Sequence, residues 1–175
     1  MNAVPILDLS RDDAALAPDL HAAFTEIGFV AVANHGVPRL LIDELYRAAG
    51  AFFDLPPEAK QAVARRRPEH NRGYVGIGGE TLARLAGQQT PPDHKEVFTI
   101  GPLDVPGSPY YAAPEAYPSF VPNLWPAEPA ALRPVMTAYW HEVTALAGRL
   151  LGIAALALDL PRDFFARRTD HHISM

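Results

Sequence analysis

The spacing of apolar and polar residues changes period several times along the chain, and each change marks an element. Residues 4–9, Val-Pro-Ile-Leu-Asp-Leu, form a short apolar run with proline near its start, the pattern of a first or edge strand. Ser10 with Arg11, Asp12 and Asp13 reads as an N-cap followed by an acidic first turn. Leu16, Leu20, Ala23, Phe24 and Ile27 then recur at helical spacing, and Gly28 supplies a stop. Residues 29–33 predict a second strand. Asn34-His35-Gly36-Val37-Pro38 predicts a turn that places proline at the start of the next helix. Leu41, Leu45, Ala48, Ala49, Phe52 and Phe53 are the buried stripe of that helix. Residues 54–58 break it and begin a short helix ending near Val63. Residues 71–80, with four glycines, read as strand or loop, and residues 96–100 as a short strand.

The longest periodic stretch comes late. Leu132, Val135, Met136, Tyr139, Val143, Leu146, Leu150, Ala154 and Leu158 repeat at three and four residues, so residues 129–158 predict a long amphipathic helix whose regular part starts near Pro134. Before it, residues 101–129 read as a long proline-rich loop. Eleven of the chain's 18 prolines fall between Pro91 and Pro134. Residues 160–165 look like a helical turn, and residues 171–175 like the start of a strand. The expected class is α+β, with helices and four or five short, mostly separated strands. A long amphipathic helix needs an apolar surface beneath it. The chain supplies the cover and little of the sheet, which predicts a truncated core.

Composition removes several function classes. The net charge of −5 opposes nucleic-acid binding, and Arg65-Arg66-Arg67 is expected to be a solvated helix face. Without cysteine there are no disulfides, thiolate metal sites or cysteine nucleophiles. No apolar run approaches the roughly 18 residues that span a bilayer, and residues 1–5 lack the features of a signal peptide. A cytoplasmic protein with no nucleic-acid or membrane partner is the expectation.

Four segments, in this order, carry a family likeness. They are Val4-Pro5-Ile6-Leu7-Asp8-Leu9; Gly28-Phe29 through Asn34-His35-Gly36-Val37-Pro38; Phe52-Phe53-Asp54-Leu55-Pro56-Pro57-Glu58-Ala59-Lys60; and Asn71-Arg72-Gly73-Tyr74 with Gly78-Gly79-Glu80-Thr81-Leu82 and Asp93-His94-Lys95-Glu96-Val97-Phe98. Leu124-Trp125-Pro126, the long helix and Phe164-Phe165-Ala166-Arg167 continue it. The chain resembles the N-terminal region of the isopenicillin N synthase-like family of non-haem iron oxygenases.

The resemblance implies a double-stranded β-helix (jelly-roll) oxygenase. Residues 1–128 would form its N-terminal helical and β cover, and residues 129–175 the scaffold helix and the start of the core. It implies Fe(II) and 2-oxoglutarate as cofactors of the complete protein and a small organic substrate that is hydroxylated, desaturated or cyclised. The iron ligands of the family, His-x-Asp and a later histidine, and its Arg-x-Ser pair lie past the last residue. The 175-residue chain alone is therefore expected to hold no metal site and to be inactive. A non-catalytic binding or regulatory module derived from the family is the alternative.

Within the chain, the resemblance puts Arg72 and Tyr74 near the substrate mouth. Arg72 could grip a carboxylate with both prongs of its guanidinium, and Tyr74 could donate one hydrogen bond and stack. Other candidates favour plainer readings. His94-Lys95-Glu96 with His141 has the composition of an iron triad, but His141 belongs to the long helix and Lys95–Glu96 suits an ion pair. Asp170-His171-His172 has ligand types in the wrong order. His35 is expected to fix its turn by bonding nearby backbone. The glycines at 73, 76, 78 and 79 lack the Gly-Lys-Ser/Thr of a phosphate loop. Trp125, Trp140 and the tyrosines at 110, 111 and 117 are expected to pin the loop to the body.

Overall fold

The computed structural model describes residues 3–79, 91 and 93–169. Among the described residues the elements follow in the order β1 (Ile6–Asp8), α1 (Asp13–Glu26), β2 (Ala31–Ala33), α2 (Arg39–Phe53), α3 (Pro57–Gln61), β3 (Gly73–Val75), β4 (Val97–Thr99), α4 (Pro109–Ala112), α5 (Tyr117–Phe120) and α6 (Leu132–Ala157). They divide between two compact units, one from residues 1–42 with 138–170 and the other from residues 43–137.

In the first unit β1 and β2 pair in parallel, with Leu7 opposite Val32. Side chains alternate across a strand, so Leu7 points inward to Leu9, Leu16, Ala17, Leu20 and Ile153. The opposite face is bare: Ile6 is 71% exposed, and its partner Ala31 is exposed too. Helix α1 starts later than its sequence suggests. Asp8 takes the backbone N–H of Ser10 at 3.0 Å, which holds residues 8–11 in a turn. Asp12, not Ser10, is the N-cap and accepts from the N–H groups of Ala14 and Ala15. Phe24, placed above at helical spacing with Leu16 and Leu20, and Phe29, placed in the second strand, are exposed; β2 is confined to three residues. Asn34 and Gly36 have positive φ, and the Val37 N–H donates to His35 Nδ1 at 3.1 Å, so the histidine fixes its turn as expected.

In the second unit β3 and β4 pair antiparallel, Tyr74 opposite Phe98. The two strands flank a core of Ala48, Phe52, Val63, Tyr74 and Leu132, with Phe53, Leu55, Phe98, Leu124 and Met136 against it. Gly73 has φ +100°, and a Cβ there would stand 2.6 Å from the Val63 carbonyl oxygen, so the strand can lie this close only with glycine. The proline-rich segment is not all loop: α4 and α5 lie within it, the first capped by Ser108. Tyr111 packs edge-on against Phe120 at 4.8 Å, Tyr117 against His70 at 6.0 Å, and Trp125 lies 6.4 Å from Phe98. Tyr117 and Trp125 fasten the segment to the body, as expected, whereas Tyr111 packs within it.

Helix α6 begins two residues before Pro134, whose missing N–H costs nothing in a first turn. Leu132, Gly152, Ile153 and Ala155 are buried. Val135, Met136, Tyr139, Val143, Leu146 and Leu150, although on its apolar stripe, are only half-buried. The expected strand at residues 171–175 and the segment from Glu80 to Leu82 lie outside the described residues.

Candidate functional site

Arg72 stands at the entry to β3 and is 2% exposed. A buried guanidinium needs hydrogen-bond acceptors around it. Nη1 donates to the Asn71 carbonyl at 3.0 Å and Nη2 to the Ser119 carbonyl at 2.7 Å. The group fills the place a side chain at Gly101 would take: a Cβ there would fall 1.8 Å from Arg72 Cζ. Asn123 closes the same corner. Its Oδ1 accepts from the Gly101 N–H at 2.8 Å, and its Nδ2 donates to the carbonyls of Gly101 and Pro102. Arg72 thus ties α5 to the entry of β3, and Asn123 ties the chain after α5 to Gly101 and Pro102 beyond β4. Burial pulls its pKa down from the ordinary arginine range. A two-pronged grip on a substrate carboxylate would require the guanidinium to release Ser119.

Two residues later, Tyr74 turns its hydroxyl toward a charged pair. It donates to Glu96 Oε2 at 2.5 Å, and Lys60 Nζ donates to the same oxygen at 2.8 Å and to the Phe53 carbonyl at 2.8 Å. Lys60 is 8% exposed; the Glu96 side chain keeps 25% of its surface in solvent. Lys60 therefore links α3 to the last carbonyl of α2 and to Glu96, just before β4, and Tyr74 brings β3 to the same carboxylate. The hydrogen bond from Lys60, then that from Tyr74, holds the Glu96 carboxyl below its ordinary range. The bond to Glu96 raises the Lys60 pKa, and burial, then Glu96, raises that of Tyr74.

The partner of Glu96 is thus Lys60, not its neighbour Lys95, which lies 3.5 Å from Asp93. The sequence offered a signal in Lys60 itself, a lysine close in sequence to Phe52, Phe53 and Val63. Position 101 gave a weaker one, a lone glycine leaving a strand. His94 and His141 are both exposed. Among the described residues no three of His, Cys, Asp and Glu gather as metal ligands do, so these residues do not fit an iron site. Asp170, His171 and His172 lie outside them.

The first unit has its own charged cluster. Asp13, 15% exposed, accepts from Arg149 Nε at 2.9 Å and from Arg162, beside a hollow of about 460 Å³ lined by Arg11, Asp12, Asp13, Ala14, Arg149, Leu156 and Arg162. Arg11 is occupied by Asp19 and the Ala15 carbonyl. No described helix is long and apolar enough to cross a membrane.

The family model described as "non-haem dioxygenase in morphine synthesis N-terminal" matches residues 4–128. The chain belongs to this dioxygenase N-terminal family. Validamycin A dioxygenase of Streptomyces hygroscopicus subsp. limoneus is 34% identical over 175 residues, covering 96% of this chain and 47% of the relative. A 2OG-Fe(II) oxygenase family protein from Caulobacter crescentus has a crystal structure that superposes with TM-score 0.78 and 28% identity, over 95% of this chain and 52% of that one. A full-length protein of Neurospora crassa, crystallised in complex with alpha-KG, gives TM-score 0.73 and 27% identity, over 93% of this chain and 49% of its own. This dioxygenase N-terminal region therefore spans about half the length of the relatives it matches.

Proposed function

We propose that the chain supplies the N-terminal portion of a cytoplasmic oxygenase that uses Fe(II) and 2-oxoglutarate to hydroxylate, desaturate or cyclise a small organic substrate. One observation carries the reading: likeness in sequence and likeness in fold, at TM-score 0.78, both run over nearly the whole chain and both lead to 2-oxoglutarate oxygenases. The part of these residues is to cover and to position, while iron and 2-oxoglutarate belong to the remainder of the protein. The bare Ile6–Ala31 face supports that part. Parallel strands are ordinarily buried on both sides, and this pair has a packed face and an open one on which a β core would sit.

Arg72 and Tyr74 keep their assignment to the substrate mouth. Arg72 acts there by fixing the backbone at Ser119, and Tyr74 by orienting Glu96. Expressing the coding sequence through its own stop codon, adding Fe(II) and following succinate release from 2-oxoglutarate tests the reading. Iron-dependent succinate is the expected result. A polypeptide of the relatives' length that never turns over 2-oxoglutarate overturns it. Cooperative folding of an iron-free, 175-residue product favours a non-catalytic binding module.

A further inference from the structure

The hydrogen bonds around Tyr74 fix the polarity of the patch it shares with Glu96. A phenol has one proton to give, and Tyr74 gives it to Glu96 Oε2. Lys60 points two of its donors at Glu96 Oε2 and the Phe53 carbonyl, and the residue is almost wholly buried. The Arg72 guanidinium, two residues away, faces the backbone of Asn71 and Ser119. Both bonds to Glu96 land on the same oxygen. Among the described residues no donor meets Oε1, although a quarter of the side chain is open to solvent. What the patch shows to a ligand is therefore an acceptor that is already aimed.

Charge narrows the choice. A ligand carboxylate would meet Glu96 head-on and would find no exposed donor among these groups. An ammonium would gain Glu96 but would come close to Lys60, which has already neutralised that carboxylate at 2.8 Å. A neutral hydroxyl gains the hydrogen bond without either repulsion. We infer that Glu96, held by Lys60 and Tyr74, binds a hydroxyl group of the substrate, so that the substrate is a neutral polyol-like molecule at this end rather than an acid. This rests on the reading of Tyr74 as part of the substrate mouth and names the chemistry of that mouth.

The test uses the full chain labelled with 13C at glutamate carboxyl carbons, titrated in parallel with inositol, ethylammonium and propionate. Exposed Glu26 and Glu142 serve as internal controls in the same spectra. Inositol is expected to shift the Glu96 signal selectively, and to do so roughly tenfold more tightly than propionate, a ratio that corresponds to one good hydrogen bond. Ethylammonium is expected to move Glu96 no more than it moves the two controls. Tighter or selective binding of propionate or ethylammonium at Glu96 overturns the hydroxyl assignment while leaving a ligand-binding mouth in place. If no probe moves Glu96 selectively, the mouth itself fails and the assignment falls with it. Glu96→Gln gives a second reading that needs no activity: titrated by calorimetry beside the unsubstituted chain, since the Glu96 signal is then gone, its preference for inositol over propionate is expected to shrink or vanish.

Discussion

At the scale of single residues the molecule depends on a few buried polar groups. Arg72 is the largest. Replacing it with methionine keeps much of the volume but leaves the Ser119 carbonyl without its donor, an expected loss of about 2 kcal/mol in a urea titration. Gly101→Ala should cost about 3 kcal/mol by forcing the guanidinium out of place. The Lys60–Glu96 pair makes stability depend on pH at both ends. Glu96 has a lowered pKa when folded, so its contribution is complete above the ordinary carboxylate range and is lost as pH falls through the lowered value. Lys60 has a raised pKa, so its contribution is complete below the ordinary lysine range and is lost as pH rises through the raised value. Denaturation midpoints should be flat across neutral pH and fall on the acid side. Glu96→Gln should make that acid limb shallower, and an unchanged limb would count against the pair. Sequence alone pointed to Glu96 as half of an ion pair but chose the wrong lysine. The true partner comes from a helix 36 positions earlier, a separation no local pattern encodes.

Elements were legible wherever a period ran for several turns. Helices α2 and α6 lie close to where their apolar stripes put them, and His35 fixes its turn as read. Where two local signals competed, the pattern was ambiguous. Ser10 and Asp12 are both good caps, and the choice falls to Asp12 because Asp8 has already claimed the Ser10 N–H. Asp12→Ala should cost about 1 kcal/mol, against almost nothing for Ser10→Ala, and thermal melts of the two variants would expose an error in the assignment. Asp13 adds a different restraint by tying the first turn of α1 to Arg149 and Arg162. Burial alone would raise its pKa, and the bonds from Arg162 and Arg149 more than offset this and hold it low.

For the whole molecule, the informative surface is the one left open. The likeness to an oxygenase front portion was readable from the order of four segments. The division into two units was not, because α2 and α6 each contribute to both and no break in composition marks the crossing. Ile6→Lys separates a bare face from one that becomes covered. In the 175-residue chain it should change stability by less than about 0.5 kcal/mol, as at other exposed positions. In a polypeptide of the relatives' length, a covered Ile6 would make the same change cost several times more. Equal effects in both would remove the idea of a β core seated there.

The slot at Gly101 couples two positions that lie far apart in sequence. A Cβ at 101 would fall 1.8 Å from Arg72 Cζ, so the two side chains compete for one space. A side chain gained at 101 therefore acts on α5 as well, because the guanidinium it displaces is the donor to the Ser119 carbonyl.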